Sequence, residues 1–383
     1  MTVTLTGLAT VVPPTVLHQD EVREVFGSQP ELSRLAKRLV STSFGVSGIE
    51  RRYTVLTELG ERTAQPGVER VFYDAESGLL MSPGTKARND IYAREASRLY
   101  VDAGRAALAN QEEFSAEDVT HVITVSCTGF YAPGPDFVVA RDLGLPADVQ
   151  RFHLGFMGCY ASLPALRLAT QLCQADPEAV VLVVSVELCT LHLRTSDDPD
   201  TIIATSLFGD GAGAALVSAR PIPSHEPGFE LDRFASRVAP EGESDMAWRI
   251  GDHGFEMVLS NMVPAILGQH VTGAVRPLFA PEPDLARALD EQRAGEVIPH
   301  WAIHPGGRSI LDKVESALEL SEAQLLPARA TLRDFGNMSS ATVLFVLRHI
   351  LDSPAASAGE RVAAMAFGPG LTVESALMTI RGS

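Results

Sequence analysis

Three segments of this 383-residue chain carry residues suited to nucleophilic chemistry. In GFMGCYAS, Cys159 falls where a strand-like run passes into helical periodicity, and Gly155 and Gly158 free the backbone for a turn and a close approach to a ligand. The unpaired N–H groups and partial positive charge of a helix N-terminus favour thiolate over thiol at such a place. Read by itself, a cysteine among apolar residues also serves as a small core side chain. In IPHWAIHPGG, His304 closes a buried run and is followed by Pro305, Gly306 and Gly307. Sites in α/β sheets gather at the carboxyl ends of strands, although a histidine there also serves to cap a turn. In DFGNMSSATVLFVL, Asn337 precedes a strongly apolar helix. It is a natural N-cap, and its amide can equally donate to a developing oxyanion without titrating. The three positions lie far apart, so they share chemistry only if two halves of the chain face one crevice.

The elements around them follow an α/β rhythm. The Thr/Val alternation at the N-terminus predicts a strand. Periodicity then predicts a helix near Ile91–Leu108, a strand at His121–Ser126, a helix around Phe137–Leu143, a strand at Arg151–Phe156 and a helix from Tyr160 to Cys173. Continuous Val runs at Ala179–Val186 and the run Ala212–Ser218 read as strands covered on both faces. A Pro/Gly/Ser-rich passage, RPIPSHEPGFE, marks a boundary, giving halves 1–225 and 226–383. In the second half a helix is expected at Met257–Leu267, a strand at Pro299–Ile303, helices at Ser309–Leu318 and Ser339–Leu351, and closing strands at Arg361–Phe367 and Thr372–Thr379. Two halves of similar make-up suggest a structural duplication, with no repeat visible residue by residue.

Composition narrows the class. The net charge of −17 repels nucleic acid and anionic membrane surfaces. An anionic ligand would need a local basic patch, for which Arg51-Arg52 with Lys37-Arg38 upstream is a candidate beside the plain reading of scattered solvated charges. No run is long and apolar enough for a membrane span, and the N-terminus does not read as a signal peptide, so a cytoplasmic location is expected. The four cysteines, Cys127, Cys159, Cys173 and Cys189, form no CxxC pair, against a disulfide framework or a structural metal site.

GFMGCYA, LFGDGAGAALV, HPGGRSILDKVE, GNMSSATVLF and FGPGLTVE, in this order, closely resemble the signature segments of the type III polyketide synthases, the chalcone synthase-like family, and the likeness runs from IERRY at Ile49 to Glu374. The resemblance implies a thiolase fold, α/β, with two similar halves in a layered αβαβα arrangement. It implies that Cys159 holds the growing acyl chain as a thioester, that His304 keeps Cys159 as thiolate through an ion pair, and that His304 and Asn337 donate to the malonyl thioester carbonyl while carbon dioxide leaves. The implied substrates are an acyl-CoA starter and malonyl-CoA, with no further cofactor, no metal and no carrier protein expected. Phe208 matches the first of two gatekeeping phenylalanines. The second is replaced by Met257, a departure that points away from a plant-like aromatic starter and toward a different, longer one. His192, Trp248 and Ser339 fall at cavity-lining positions, and Gly368, Pro369 and Gly370 at the loop that scaffolds the cavity. Arg51, Arg52, Gly306 and Gly307 are expected to hold coenzyme A, and SCTGFYAPGPD to lie at a homodimer interface.

Three other readings share some of these features. An enzyme related to ketoacyl synthase III, performing a single condensation, would use the same Cys/His/Asn set, but GPGLTVE and GNMSSA favour the polyketide synthase. A degradative thiolase would need a second catalytic cysteine near the C-terminus, and all four cysteines precede residue 190. A silent scaffold of the same fold would have no need of all three residues.

Overall fold

The computed structural model describes residues 1–60 and 70–382. Its centre is one nine-stranded sheet, in the order His300–Ile303, Arg361–Gly368, Thr372–Arg381, Gly228–Val238, Thr4–Val11, Asp210–Ser218, Val180–Leu188, His121–Ser126, Gln150–Gly155. The order mirrors itself about the middle. From Thr4–Val11 outward, successive pairs run antiparallel, antiparallel and parallel. From Gly228–Val238 outward the other way the senses are the same. In each half the chain visits these strands in the same sequence: first the innermost, then the outermost of the four, then back inward. The first half adds Gln150–Gly155 beyond the common four, and the halves join where Leu5 sits opposite Phe229. The duplication expected from composition is therefore visible as a repeated pairing pattern.

Helices cover this sheet in layers. Every residue of Val180–Leu188 is buried, as its unbroken apolar run requires. Val181 and Val183 face a core shared with the Ser162–Ala175 and Thr342–Leu351 helices, whereas Val180, Leu182, Val184 and Val186 pack against Tyr92, Ala96 and Leu99 of the long helix Thr85–Ala109. Ser162 Oγ donates to the Ser340 carbonyl at 2.6 Å, tying the two inner helical segments to each other across the halves. The Val263–Phe279 helix packs on the second half from outside, its apolar face built from Leu267, Val271, Ala274, Val275 and Leu278.

Most expected elements form near their expected bounds, and one differs in kind. Where a helix was expected from Met257, the chain makes a hairpin of Met246–Gly251 with Gly254–Leu259, and the helix starts at Val263 with Pro264 in its first turn. Gly254 takes φ +103, a value only glycine adopts cheaply, and it closes the turn. Two helices near the N-terminus, Gln19–Ser28 and Arg34–Val46, and the Glu322–Phe335 helix complete the frame of the site.

Candidate active site

Cys159 lies in the turn between Gln150–Gly155 and the Ser162–Ala175 helix, ahead of that helix's first turn and buried. Gly158 takes φ +89, and a Cβ there would stand 2.6 Å from Pro369 Cδ. A Cβ on Gly368 would meet Tyr160 Cδ1 at 2.5 Å. Glycine is thus required on both sides of the contact that presses the GPGL loop against the cysteine. His304 follows its strand directly, and its N–H donates to the Met365 carbonyl at 2.8 Å, so the strand that carries GPGL at its end also fixes the histidine. Both ring nitrogens of His304 are buried and have no partner among the described residues.

Asn337 is sewn to the segment that carries Phe208. Its N–H donates to the Leu207 carbonyl at 2.9 Å, and its own carbonyl accepts from Gly209 N–H at 3.0 Å. Its side-chain Oδ1 accepts from Ser339 N–H at 2.9 Å, and its Nδ2 donates to the Gly306 carbonyl at 3.4 Å. It is not the N-cap of either element that follows: Met338 holds that position for the short 3₁₀ turn Ser339–Ala341, and Ala341 for the Thr342–Leu351 helix. Ser339 sits at φ +47, a strained conformation for a non-glycine residue, and its hydroxyl lies 3.2 Å from Cys127 Sγ.

A pocket enclosing about 670 Å³ of empty space, its mouth included, opens over Cys159. Phe208, Met257, His192, Trp248, Ser339 and Pro369 all line it, while Gly368 and Gly370 flank Pro369 in the loop. Trp248 and Met257 are directly opposed across the hairpin, so the indole and the departure at the gatekeeper position are neighbours on one face. Trp248 Nε1 donates to the Cys127 carbonyl at 2.7 Å and its ring stands edge-on to His192 and to Phe255. The wall also contains residues that the sequence reading did not single out: Cys127, Thr128, Cys189, Leu193, Arg194, Thr205, Met246 and Phe255. Cys127 and Cys189 each follow the last residue of a parallel-paired strand, so the strand-end rule that marked His304 would have marked them.

Beneath the pocket floor lies Glu187, fully buried, whose carboxylate accepts from Ser126 Oγ, Cys127 N–H, Thr128 Oγ1 and Ser340 Oγ. Burial raises its pKa against those donors. Burial also dominates at the two central groups. It pushes the Cys159 thiol up to about 11, against the hydrogen bonds of Ser339 and Asn337 and with the Glu187 charge adding to the rise, and it pushes His304 down to about 3. At rest these effects weigh toward thiol and neutral imidazole. The thiolate favoured by a helix N-terminus, and the thiolate–imidazolium pair that the resemblance implies, are opposed by desolvation in a closed site.

The Arg51-Arg52 pair divides. Arg51 is exposed and pairs with Asp334 at 3.3 Å. Arg52 corrects the expectation of a coenzyme A ligand: on a strand its side chain points the opposite way, it is fully buried, and its Nη1 donates to the Thr205 and Phe208 carbonyls at 2.8 and 2.5 Å. Gly306 and Gly307 lead from His304 into the Arg308–Leu318 helix, within reach of Asn337.

Residues 2–221 match the family described as chalcone and stilbene synthases, N-terminal domain, and residues 230–381 match the C-terminal domain of the same family. Type III polyketide synthase 10 of Oryza sativa subsp. japonica is 31% identical over 98% of this chain and 91% of its own length, and bisdemethoxycurcumin synthase of the same plant 32% over 97% and 91%. Among solved structures, PKS-I of the brown alga Ectocarpus siliculosus superposes with a TM-score of 0.86 at 25% identity, covering 99% of this chain and 98% of that one. The 1,3,6,8-tetrahydroxynaphthalene synthase of Streptomyces coelicolor A3(2) gives 0.82 at 28%, covering 99% and 100%. Repeated halves, a cysteine at the mouth of an apolar pocket and the family match over both halves lead to one conclusion: the chain belongs to the chalcone and stilbene synthase family, the type III polyketide synthases, acyl-transferring condensing enzymes of the thiolase fold.

Proposed function

We propose that the protein condenses malonyl-CoA onto an acyl-CoA starter held on Cys159, over successive rounds, and releases the product as a pyrone or an aromatic ring. The observation that carries this is the meeting of Cys159, Asn337 and Ser339, with Cys159 and Ser339 on the wall of an apolar pocket, together with a buried His304 ring whose nitrogens have no partner among the described residues. Half 1–225 supplies the nucleophile and half 226–383 the histidine and asparagine.

In the loading step neutral His304 takes the Cys159 proton, sulfur attacks the starter thioester carbonyl, and coenzyme A leaves as its thiol with that proton. Malonyl-CoA then loses carbon dioxide, and the electrons of the broken C–C bond pass into the thioester carbonyl, whose oxyanion accepts hydrogen bonds from the Asn337 amide and from His304. The enolate carbon attacks the Cys159 thioester, a C–C bond forms, and Cys159 leaves as thiolate. The elongated chain, now on coenzyme A, returns to Cys159 for the next round. Because the thioesters bring their own activation, the reaction needs no resident cofactor.

Phe208 and Met257 form the walls beside the malonyl group, His192 and Trp248 the floor, and the Gly368–Gly370 loop the side against Cys159. The apolar lining, with Met246 and Met257 in it, fits an aliphatic acyl starter. Arg51, Gly306 and Gly307 lie on the approach suited to coenzyme A. Gln150–Gly155 ends the sheet with its outer edge unpaired among the described residues and Phe152 exposed, with Phe137 and Phe130 also exposed, a surface that fits a homodimer interface. No helix among the described residues is long and apolar enough to cross a membrane, and all four cysteines are buried and free, which fits the reducing cytoplasm.

The test is product analysis by mass spectrometry after incubation with malonyl-CoA and a ladder of short to long acyl-CoAs, with Cys159→Ala as control. Products heavier than the starter by two or more two-carbon units, absent with Cys159→Ala, are expected. A ladder that yields no starter-dependent product refutes the assignment.

A further inference from the structure

Arg52 is the residue that the expected function leaves without a role. An arginine sealed from water is costly, and this one keeps only part of its hydrogen-bonding capacity: Nε and Nη2 are buried with no partner among the described residues. Both bonds it does make go to one short stretch of backbone, the Thr205 and Phe208 carbonyls at the end of the Pro199–Leu207 helix. Its aliphatic stem runs through a slot that two glycines keep open. A Cβ on Gly209 would stand 3.2 Å from Arg52 Cβ, and a Cβ on Gly336, at φ +69, would stand 2.7 Å from Arg52 Cγ. These two glycines follow Phe208 and precede Asn337. The backbone bonds between Leu207, Gly209 and Asn337 cross the same slot. The buried Asp210 carboxylate favours the charge without bonding it, and is itself fixed by Thr190 N–H at 2.8 Å, Thr190 Oγ1 at 2.7 Å and Val55 N–H at 2.9 Å.

We propose that Arg52 is a positioning residue for the decarboxylation step: by clamping the Thr205 and Phe208 carbonyls it fixes the main-chain bridge that aims the Phe208 ring and the Asn337 amide together. Cys159 shares the Asn337 and Ser339 hydrogen bonds, but its place in the chain is set by Gly158, Gly368 and Pro369, none of which Arg52 bonds. The clamp therefore acts more strongly on decarboxylation than on acylation. A buried methionine of similar length would serve packing alone, whereas the guanidinium adds the two bonds to the Thr205 and Phe208 carbonyls.

The inference rests on the role proposed for Asn337, and the experiment separates the two. Two partial reactions are measured on the full-length protein: carbon dioxide release from malonyl-CoA without starter, and the stoichiometric burst of coenzyme A when Cys159 is acylated by a starter acyl-CoA. In Arg52→Met, kcat for decarboxylation is expected to fall about 10- to 100-fold, the scale of a misplacement near 1 Å, with the acylation rate within about 3-fold of the parent. Arg52→Lys, which keeps the charge facing Asp210 with a single cationic head in place of the fork, is expected to lie between them and serves where the methionine variant does not fold. Loss of both rates in equal proportion, as a smaller folded fraction would give, overturns the proposal, and so does an unchanged decarboxylation rate. Asn337→Ala is measured alongside. If it leaves decarboxylation intact, the function proposed for Asn337 fails; if it abolishes decarboxylation while Arg52→Met does not slow it, only the Arg52 inference fails.

Discussion

The imidazole of His192 is held neutral by its surroundings, and its protonation cost can be read as a pH-dependent stability. Its Nε2–H donates to the Thr128 carbonyl at 2.8 Å and its Nδ1 accepts from Phe255 N–H at 2.9 Å, so a second proton would displace a backbone donor. The ring stacks on Phe255 with centroids 4.2 Å apart. Burial, and then the nearby Arg88 and Arg194 charges, push its pKa down to about 3. In the unfolded chain the same group titrates near its ordinary value of about 6.5. The folded state therefore binds fewer protons below that value, and the contribution of His192 to stability is complete above pH ~6.5 and is lost as pH falls toward 3. At pH 5 the loss is about 2 kcal/mol, and at pH 7.5 it is roughly 0.1 kcal/mol. His192→Gln removes the titration. Urea unfolding of parent and variant at pH 7.5 and pH 5, at one protein concentration, should show the gap between them narrowing by about 2 kcal/mol at the lower pH, whatever the baseline cost of the substitution. Equal pH dependence in the two proteins, or a His192 ring titrating near its ordinary value by NMR, would refute the reasoning.

Three further outcomes are expected. His304→Gln should slow alkylation of Cys159 by iodoacetamide at pH 7.5 at least about 10-fold, because the proton acceptor is gone, and an unchanged rate would separate the two residues. Trp248→Ala should move the product distribution toward chains longer by one or more two-carbon units, read by mass spectrometry, and a distribution identical to the parent's would mean that the indole does not bound the growing chain. Phe152→Asp places a charge on the unpaired edge of the sheet, and sedimentation should show monomers where the parent forms dimers; a variant that stays dimeric would move the interface elsewhere.

Much of the site was legible because its residues sit at ends. Cys159 and His304 are marked by glycines and by the close of an apolar run, and those signals are local. Arg52 was misread for a reason that is equally local: RRYT lies on a strand, and alternation sends one arginine out to Asp334 and the next inward under Phe208. With the strand assigned, the pair would have divided on sequence alone. The Glu187 network was not legible in the same way, since its donors come from two distant segments, 126–128 and Ser340, brought together only by the fold.

The hairpin over the pocket shows what a wrong local period conceals. A helix from Met257 would have put Trp248 and Met257 on different elements, and each then reads as a separate change, one filling the cavity and one relaxing it. The sequence between them spoke for strands: Gly251 and Gly254 bracket a two-residue turn, and Phe255, Met257 and Leu259 alternate. Once the strands pair, Trp248 faces Met257 across the hairpin and both line the pocket. The indole stands beside the gatekeeper position, and the hydrogen bond from Trp248 to the Cys127 carbonyl fixes it against the floor. A longer starter does not follow from Met257 alone, because the neighbouring indole takes up space on the same wall. Introducing phenylalanine at Met257 with Trp248 retained should therefore crowd the pocket and lower turnover, while combining Met257→Phe with Trp248→Ala should restore part of it, a non-additivity that two independent wall positions would not produce.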